Sequence, residues 1–231
     1  MKKTDKNFII GLMLLIVFVL FTILVKFVDV EAVGPLGSEV GFSHINHDFF
    51  EFCGHSKVWD YVSDAMMIVS LLVVVAFVVL GVVQLAKRKS LKKVDSNILI
   101  LGVFYMLLAI VYLLFEVVVI NYRPVLVDGT LKASYPSTHT MLSLFIIASA
   151  EIQLHKFFSV NKKLLLSADI VSSCLLILIV VSRVLSGVHW LTDILGAILI
   201  ALALLFIYNG VLDHVSQSHH HDEEKTENKN V

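Results

Sequence analysis

Six apolar runs of about 17–24 residues recur along this chain, and they leave one architecture open to it. Each is long enough to cross roughly 30 Å of hydrocarbon as a helix. Every backbone polar group must then be satisfied inside its own segment. The runs are Phe8–Val28, Asp64–Ala86, Asn97–Ile120, His139–His155, Leu164–Val181 and Ile194–Leu212. With 58% hydrophobic and 16% charged residues among 231, little is left for a separate soluble domain. The expectation is an all-α polytopic membrane protein, its six helices in one bundle. A cleaved signal peptide is the rival reading of the first run. That run is too long for a signal h-region and no small-x-small site follows it, so it is read as a retained span.

Between the spans lie segments of different character. Residues 1–28 are a short basic start and the first span. Residues 29–63 form a loop rich in Gly, acidic residues and His, with aromatics that suit an interfacial segment. Residues 64–212 carry spans two to six, and 213–231 read as a disordered polar tail. Basic residues divide unevenly across the membrane. Thirteen, including Lys87, Arg88, Lys89, Lys92 and Lys93, fall on the side of the termini, and five on the other. The positive-inside rule therefore puts both termini in the cytoplasm. Three polar stretches far apart in sequence then share the outer face.

The most informative stretch is Ser182-Arg183…His189…Asp193. A guanidinium can hold phosphate oxygens in a bidentate fork, and a His can act as nucleophile. An Asp four residues on reaches the far ring nitrogen if the segment is helical. Pro136-Ser137-Thr138-His139 opens the fourth span. There Ser137 is either a plain N-cap or, with the free amides of Thr138 and its neighbours, part of an anion site. Arg123-Pro124 follows the third span, as a phosphate ligand or an interfacial cap. His219-His220-His221 with Asp222-Glu223-Glu224 reads as solvated tail and not as a metal site. Cys53 and Cys174 imply no disulfide framework.

These stretches resemble the motifs of the type 2 phosphatidic acid phosphatase (PAP2) superfamily, Lys-x6-Arg-Pro, Pro-Ser-x-His and Ser-Arg-x5-His-x3-Asp, over roughly Asp64–Leu212. The second and third are matched in full. In the first, Arg123 and Pro124 fit but Glu116 stands where the family has Lys. Pairing with an Arg inside the bundle is one reading of Glu116, and Lys132 is a candidate for the missing cation. The resemblance implies a membrane lipid phosphatase acting on a phosphomonoester or pyrophosphate of a lipid at the outer face. Phosphatidic acid, phosphatidylglycerol phosphate and undecaprenyl pyrophosphate are the family's substrate classes. It implies His189 as nucleophile, Asp193 as its orienting partner and His139 as proton donor. Arg123, Ser137, Thr138, Ser182 and Arg183 would hold phosphate. No metal, cofactor or nucleic-acid partner is expected beyond the lipid substrate and the bilayer. A lipid phosphotransferase and a catalytically impaired lipid-binding protein are the alternatives.

Overall fold

The computed structural model describes residues 3–158 and 160–227, with side chains for 4–158 and 160–218. Among the described residues, seven α-helices account for almost all of the regular structure: α1 Lys3–Phe27, α2 Ser43–Cys53, α3 Lys57–Arg88, α4 Ser96–Val117, α5 Thr138–Phe157, α6 Lys162–Ser186 and α7 Leu191–Glu227. Helices α1, α3, α4, α6 and α7 are each long and apolar enough to cross a membrane. Large apolar side chains stand on their outer surfaces, among them Leu12, Leu72, Ile110 and Ile177. That is the arrangement expected where the solvent is lipid.

The expected fourth span, α5, differs. It has 20 residues, about 30 Å of helix, but falls short of the others in apolarity because it does not face lipid. It packs against α3, α6 and α7, and Thr140, Ser143, Ser149 and Gln153 are all buried along it. Gln153 donates to the Asn97 carbonyl and to the Tyr208 hydroxyl. Around that bond, Phe104, Phe145 and Tyr208 form an aromatic cluster with centroids 5.2–6.1 Å apart. A helix enclosed by protein can hold polar groups that a lipid-facing one cannot.

Three boundaries move from the expected ones. Helix α3 begins at Lys57, so Asp60 and Ser63 belong to the helix and not to the preceding loop. The third span ends at Val117, because the chain turns there into a loop whose strand-like pairing joins Tyr122 to Ala133. At the far end, α7 runs to Glu227 where a disordered tail is expected from Asp213. Its extension lies along the start of α1, where Gln217 donates to Thr4 at 2.8 Å and Asn7 donates to Asp213 at 3.3 Å. Residues 228–231 and the side chains of His219–His221 and Asp222–Glu224 lie outside the described residues. Within the expected interfacial segment, 43–53 form the helix α2. Cys53 and Cys174 are both free thiols.

The opposite end from the termini is more heavily tied together. Asn46 of α2 donates to the Thr192 hydroxyl and accepts from the Thr192 amide, at 2.9 and 3.1 Å. These bonds fix the start of α7 against α2. On α1, Thr22 Oγ1 meets the Tyr135 hydroxyl at 2.7 Å. The ring of Tyr135 lies flat over Gly196 of α7, where a Cβ would come within 2.5 Å of the ring. Only glycine admits that approach, which brings loop 133–136 down onto the first turns of α7.

Candidate active site

The short link between α6 and α7, residues 187–190, carries His189. Gly187 ends α6 in the left-handed region at φ +64. It is packed so closely on Gly54 and His55 that a side chain there would collide with their backbone. His55 Nδ1 and the Ser56 amide both approach the Ser186 carbonyl, at 2.8 and 3.1 Å. Trp190 donates its indole N–H to the Tyr122 carbonyl at 2.6 Å. The link is thus fastened on both sides of the histidine.

His189 is buried, and its Nδ1 lies 3.0 Å from Ser134 Oγ and 3.5 Å from Asp193 Oδ2. Ser134 Oγ donates to the same Asp193 oxygen, which also accepts from the Trp190 amide at 2.9 Å. The serine's one proton being spent on the carboxylate, its oxygen accepts from His189 Nδ1–H. That tautomer leaves Nε2 with its lone pair. Nε2 is buried and has no protein partner. Burial, then the nearby Arg183, Arg123 and His139, hold His189 well below the ordinary imidazole range, so the ring is neutral. A neutral imidazole with a free, oriented Nε2 is a nucleophile.

The orienting link is therefore not a simple helical i,i+4 contact. Residue 189 precedes α7, and Ser134 is wedged between the ring and the carboxylate. Ser134 is a site residue that motif reading passes over, lying three positions before Ser137 with nothing to mark it.

Arg183 is 1% exposed. Its Nη1 donates to Asp60 Oδ1 at 2.9 Å and to Ser63 Oγ at 3.4 Å. Its Nε and Nη2, the side-on edge of the fork, are buried without a partner. This edge is the one that grips two oxygens of an oxyanion. His139, in the first turn of α5, donates through Nε2 to Asp64 Oδ1 at 3.1 Å, and its Nδ1 is buried and unpartnered. Asp60 and Asp64 lie one turn apart on α3. They too are missed by motif reading, which begins the second span at Asp64.

Arg123 sits on the loop after α4, its amide bonded to the Lys132 carbonyl at 3.1 Å and its Nε to the Ala133 carbonyl at 3.3 Å. Burial lowers its pKa, while the carboxylates of Asp60, Asp193, Glu116 and Asp64 act against that. A guanidinium there remains charged. Lys132 itself is exposed. Glu116 is exposed in the last turn of α4, and the expected pairing with an Arg does not occur: among the described residues it forms no ion pair. Its charge still reaches Arg123.

Two of the expected phosphate hydroxyls are spent elsewhere. Ser182 Oγ donates to the Ile179 carbonyl of its own helix at 3.1 Å. Ser137, at the N-cap of α5, shares a bond with the Thr140 hydroxyl at 3.0 Å, while its amide donates to the Asp193 carbonyl at 3.0 Å. Neither hydroxyl caps the helix, so the first amides of α5 keep their free N–H groups. Thr138, half-buried, lines a small cleft with Glu116, Ser134 and Pro136.

Leaving a buried donor or acceptor unmade costs about 1–3 kcal/mol. Here His189 Nε2, His139 Nδ1 and two Arg183 nitrogens all do so, within electrostatic reach of one another. This arrangement defines a class: a multi-pass membrane bundle with partnerless, buried histidine and arginine nitrogens gathered at one end of its helices.

The PAP2 superfamily model matches residues 46–213, and the chain belongs to that superfamily. It is similar in fold to the crystal structure of a transmembrane PAP2 type phosphatidylglycerolphosphate phosphatase from Bacillus subtilis. That likeness has a TM-score of 0.59 at 19% identity, covering 89% of this chain and 96% of the other. No curated protein matches.

Proposed function

We propose that the protein hydrolyses a phosphate monoester or pyrophosphate carried by a lipid, through a phosphohistidine on His189. The observation that carries this reading is the buried, partnerless Nε2 of His189, held in its reactive tautomer beside the free fork edge of Arg183. In the first step Nε2 attacks phosphorus and the bond to the leaving oxygen breaks. Positive charge develops on the ring, and Asp193 steadies it directly and through Ser134. Arg183, Arg123 and the free amides of α5 hold the phosphoryl oxygens, on which transition-state charge collects. His139 gives a proton to the leaving oxygen. It then takes one from the water that cleaves the phosphoramidate and frees inorganic phosphate.

Two guanidiniums and a helix end suffice to balance a phosphate of about −1.5 to −2, so activity is expected to persist in EDTA. The asymmetry of Lys and Arg supports an extracytoplasmic site with both termini in the cytoplasm. Phosphatidylglycerol phosphate, after which the similar Bacillus subtilis phosphatase is named, joins phosphatidic acid and undecaprenyl pyrophosphate as a candidate. Purified protein in detergent with EDTA should release phosphate from at least one of short-chain forms of these three. Label passing to a second lipid in place of water would make it a phosphotransferase. Release from none would end the reading.

Glu116 bears on the rate. It projects a negative charge toward Arg123 at the mouth of a site that must admit an anion. Glu116→Lys removes that repulsion, and kcat/KM is expected to rise several-fold, chiefly through KM and most at low salt. An unchanged or lower kcat/KM would show that Glu116 does not oppose the substrate.

A further inference from the structure

We infer that Asp64 is the positioning residue of the proton donor, so that the site holds two His–carboxylate units, one for each histidine. This inference rests on the phosphatase reading and adds to it a residue outside the three motifs, together with the atom that moves the proton.

The geometry separates the two nitrogens of His139. Nε2 lies 3.1 Å from Asp64 Oδ1, and Nδ1 is buried with no partner. A carboxylate accepts only, so Nε2 carries a proton and donates it to Asp64. Proton exchange with substrate must then run through Nδ1. His189 has the reverse arrangement, with Nδ1 held by Ser134 and Nε2 free. One ring presents Nε2 to phosphorus and the other presents Nδ1 to the leaving oxygen.

The charges around His139 show why a carboxylate is needed. Arg183 on α6, Arg123 on the preceding loop and Asp60 on α3 all act on the ring, and His189 lies on the adjoining link. Asp60 is already bonded to Arg183 Nη1. Asp64, one turn further along α3, is the carboxylate in direct contact with the ring. Once a bound phosphate offsets the two guanidiniums, Asp64 can carry His139 as imidazolium. In the first step, Nδ1–H passes its proton to the leaving oxygen as the P–O bond breaks and the P–N bond to His189 forms. His139 is left neutral, with Nε2–H still on Asp64. In the second step Nδ1 takes a proton from the attacking water as the P–N bond breaks, which restores the starting state.

The test is Asp64→Asn in the full-length protein in detergent, measured by the rate of the first turnover on two substrates. Short-chain phosphatidic acid has a poor alkoxide leaving group that needs a proton. Para-nitrophenyl phosphate expels a stable phenolate, which needs none. Asparagine can still accept from Nε2–H but brings no charge. The first-turnover rate on phosphatidic acid should fall by about 10- to 100-fold, within the range ascribed to general acid catalysis. The rate on the aryl phosphate should change less than about two-fold. Asp64→Glu should recover most of the lost rate, which guards against a folding defect in the amide variant. Equal loss on both substrates, or no loss on phosphatidic acid, would overturn the role of Asp64 and leave the phosphatase reading standing. Wild type that turns over neither of these nor the other two lipid classes would overturn both.

Discussion

Phosphate release is expected to fall to the uncatalysed background when His189 is replaced by Ala, while the protein stays folded and binds its lipid. The two expectations follow from one geometry. His189 hangs on a link held by Ser186, Tyr122 and Asn46 through bonds that do not use its own side chain. The link should therefore survive the loss of the ring. The proposed phosphate donors, Arg183 and Arg123, are held by Asp60, Ser63 and the Ala133 carbonyl and not by His189. With the proposed nucleophile gone, the partnerless imidazole nitrogen left in the described pocket is His139 Nδ1, which is assigned to the leaving oxygen. His189→Asn fills similar space and should be equally inactive. Residual turnover in either variant within ten-fold of wild type would mean that water attacks directly.

The second large effect is at Arg183. Arg183→Lys is expected to lower kcat/KM by about 10²- to 10³-fold, the loss typical of removing one preorganised donor to transition-state charge. A Lys ammonium is a single point on a flexible stem. It can stay with Asp60 or turn to phosphate, but it cannot anchor on one and offer two parallel donors to the other. Arg183→Ala is the less informative variant, since it strands Asp60 and the buried cavity around it, and stability would fall along with rate. Thermal unfolding of the Lys variant within a few degrees of wild type, together with the stated loss of kcat/KM, would assign the effect to phosphate binding. A loss below about five-fold would show that the free fork edge does not touch the substrate.

Much of this is legible in the chain alone. Most of the long apolar runs are spans, and the spacing of Ser182, Arg183, His189 and Asp193 singles out a candidate site before any fold is known. The helical bundle follows from the apolar runs, although five helices and not the expected six are long and apolar enough to cross a membrane. Sequence reading fails where function depends on bonds between distant helices. Ser134 has no spacing rule of its own; it matters because Tyr135 packs on Gly196 and lowers the loop onto Asp193. Asp60 and Asp64 look like the polar end of a loop until α3 is seen to begin at Lys57. Ser137 and Ser182 err the other way. Both belong to motifs, yet their hydroxyls are bonded to Thr140 and Ile179. A motif identifies positions, but only the packed structure says which of their atoms remain free.

The central claim is a covalent bond between phosphorus and His189 Nε2. Its most direct test is to mix the protein with a lipid phosphate labelled in the scissile phosphoryl group. Turnover is stopped in alkali within milliseconds and the labelled peptide is mapped by mass spectrometry. The expected result is an alkali-stable, acid-labile phosphoryl group on the peptide carrying His189, absent from His189→Ala. Wild type that turns over the lipid with no label on protein, or with label on any other residue, would contradict it.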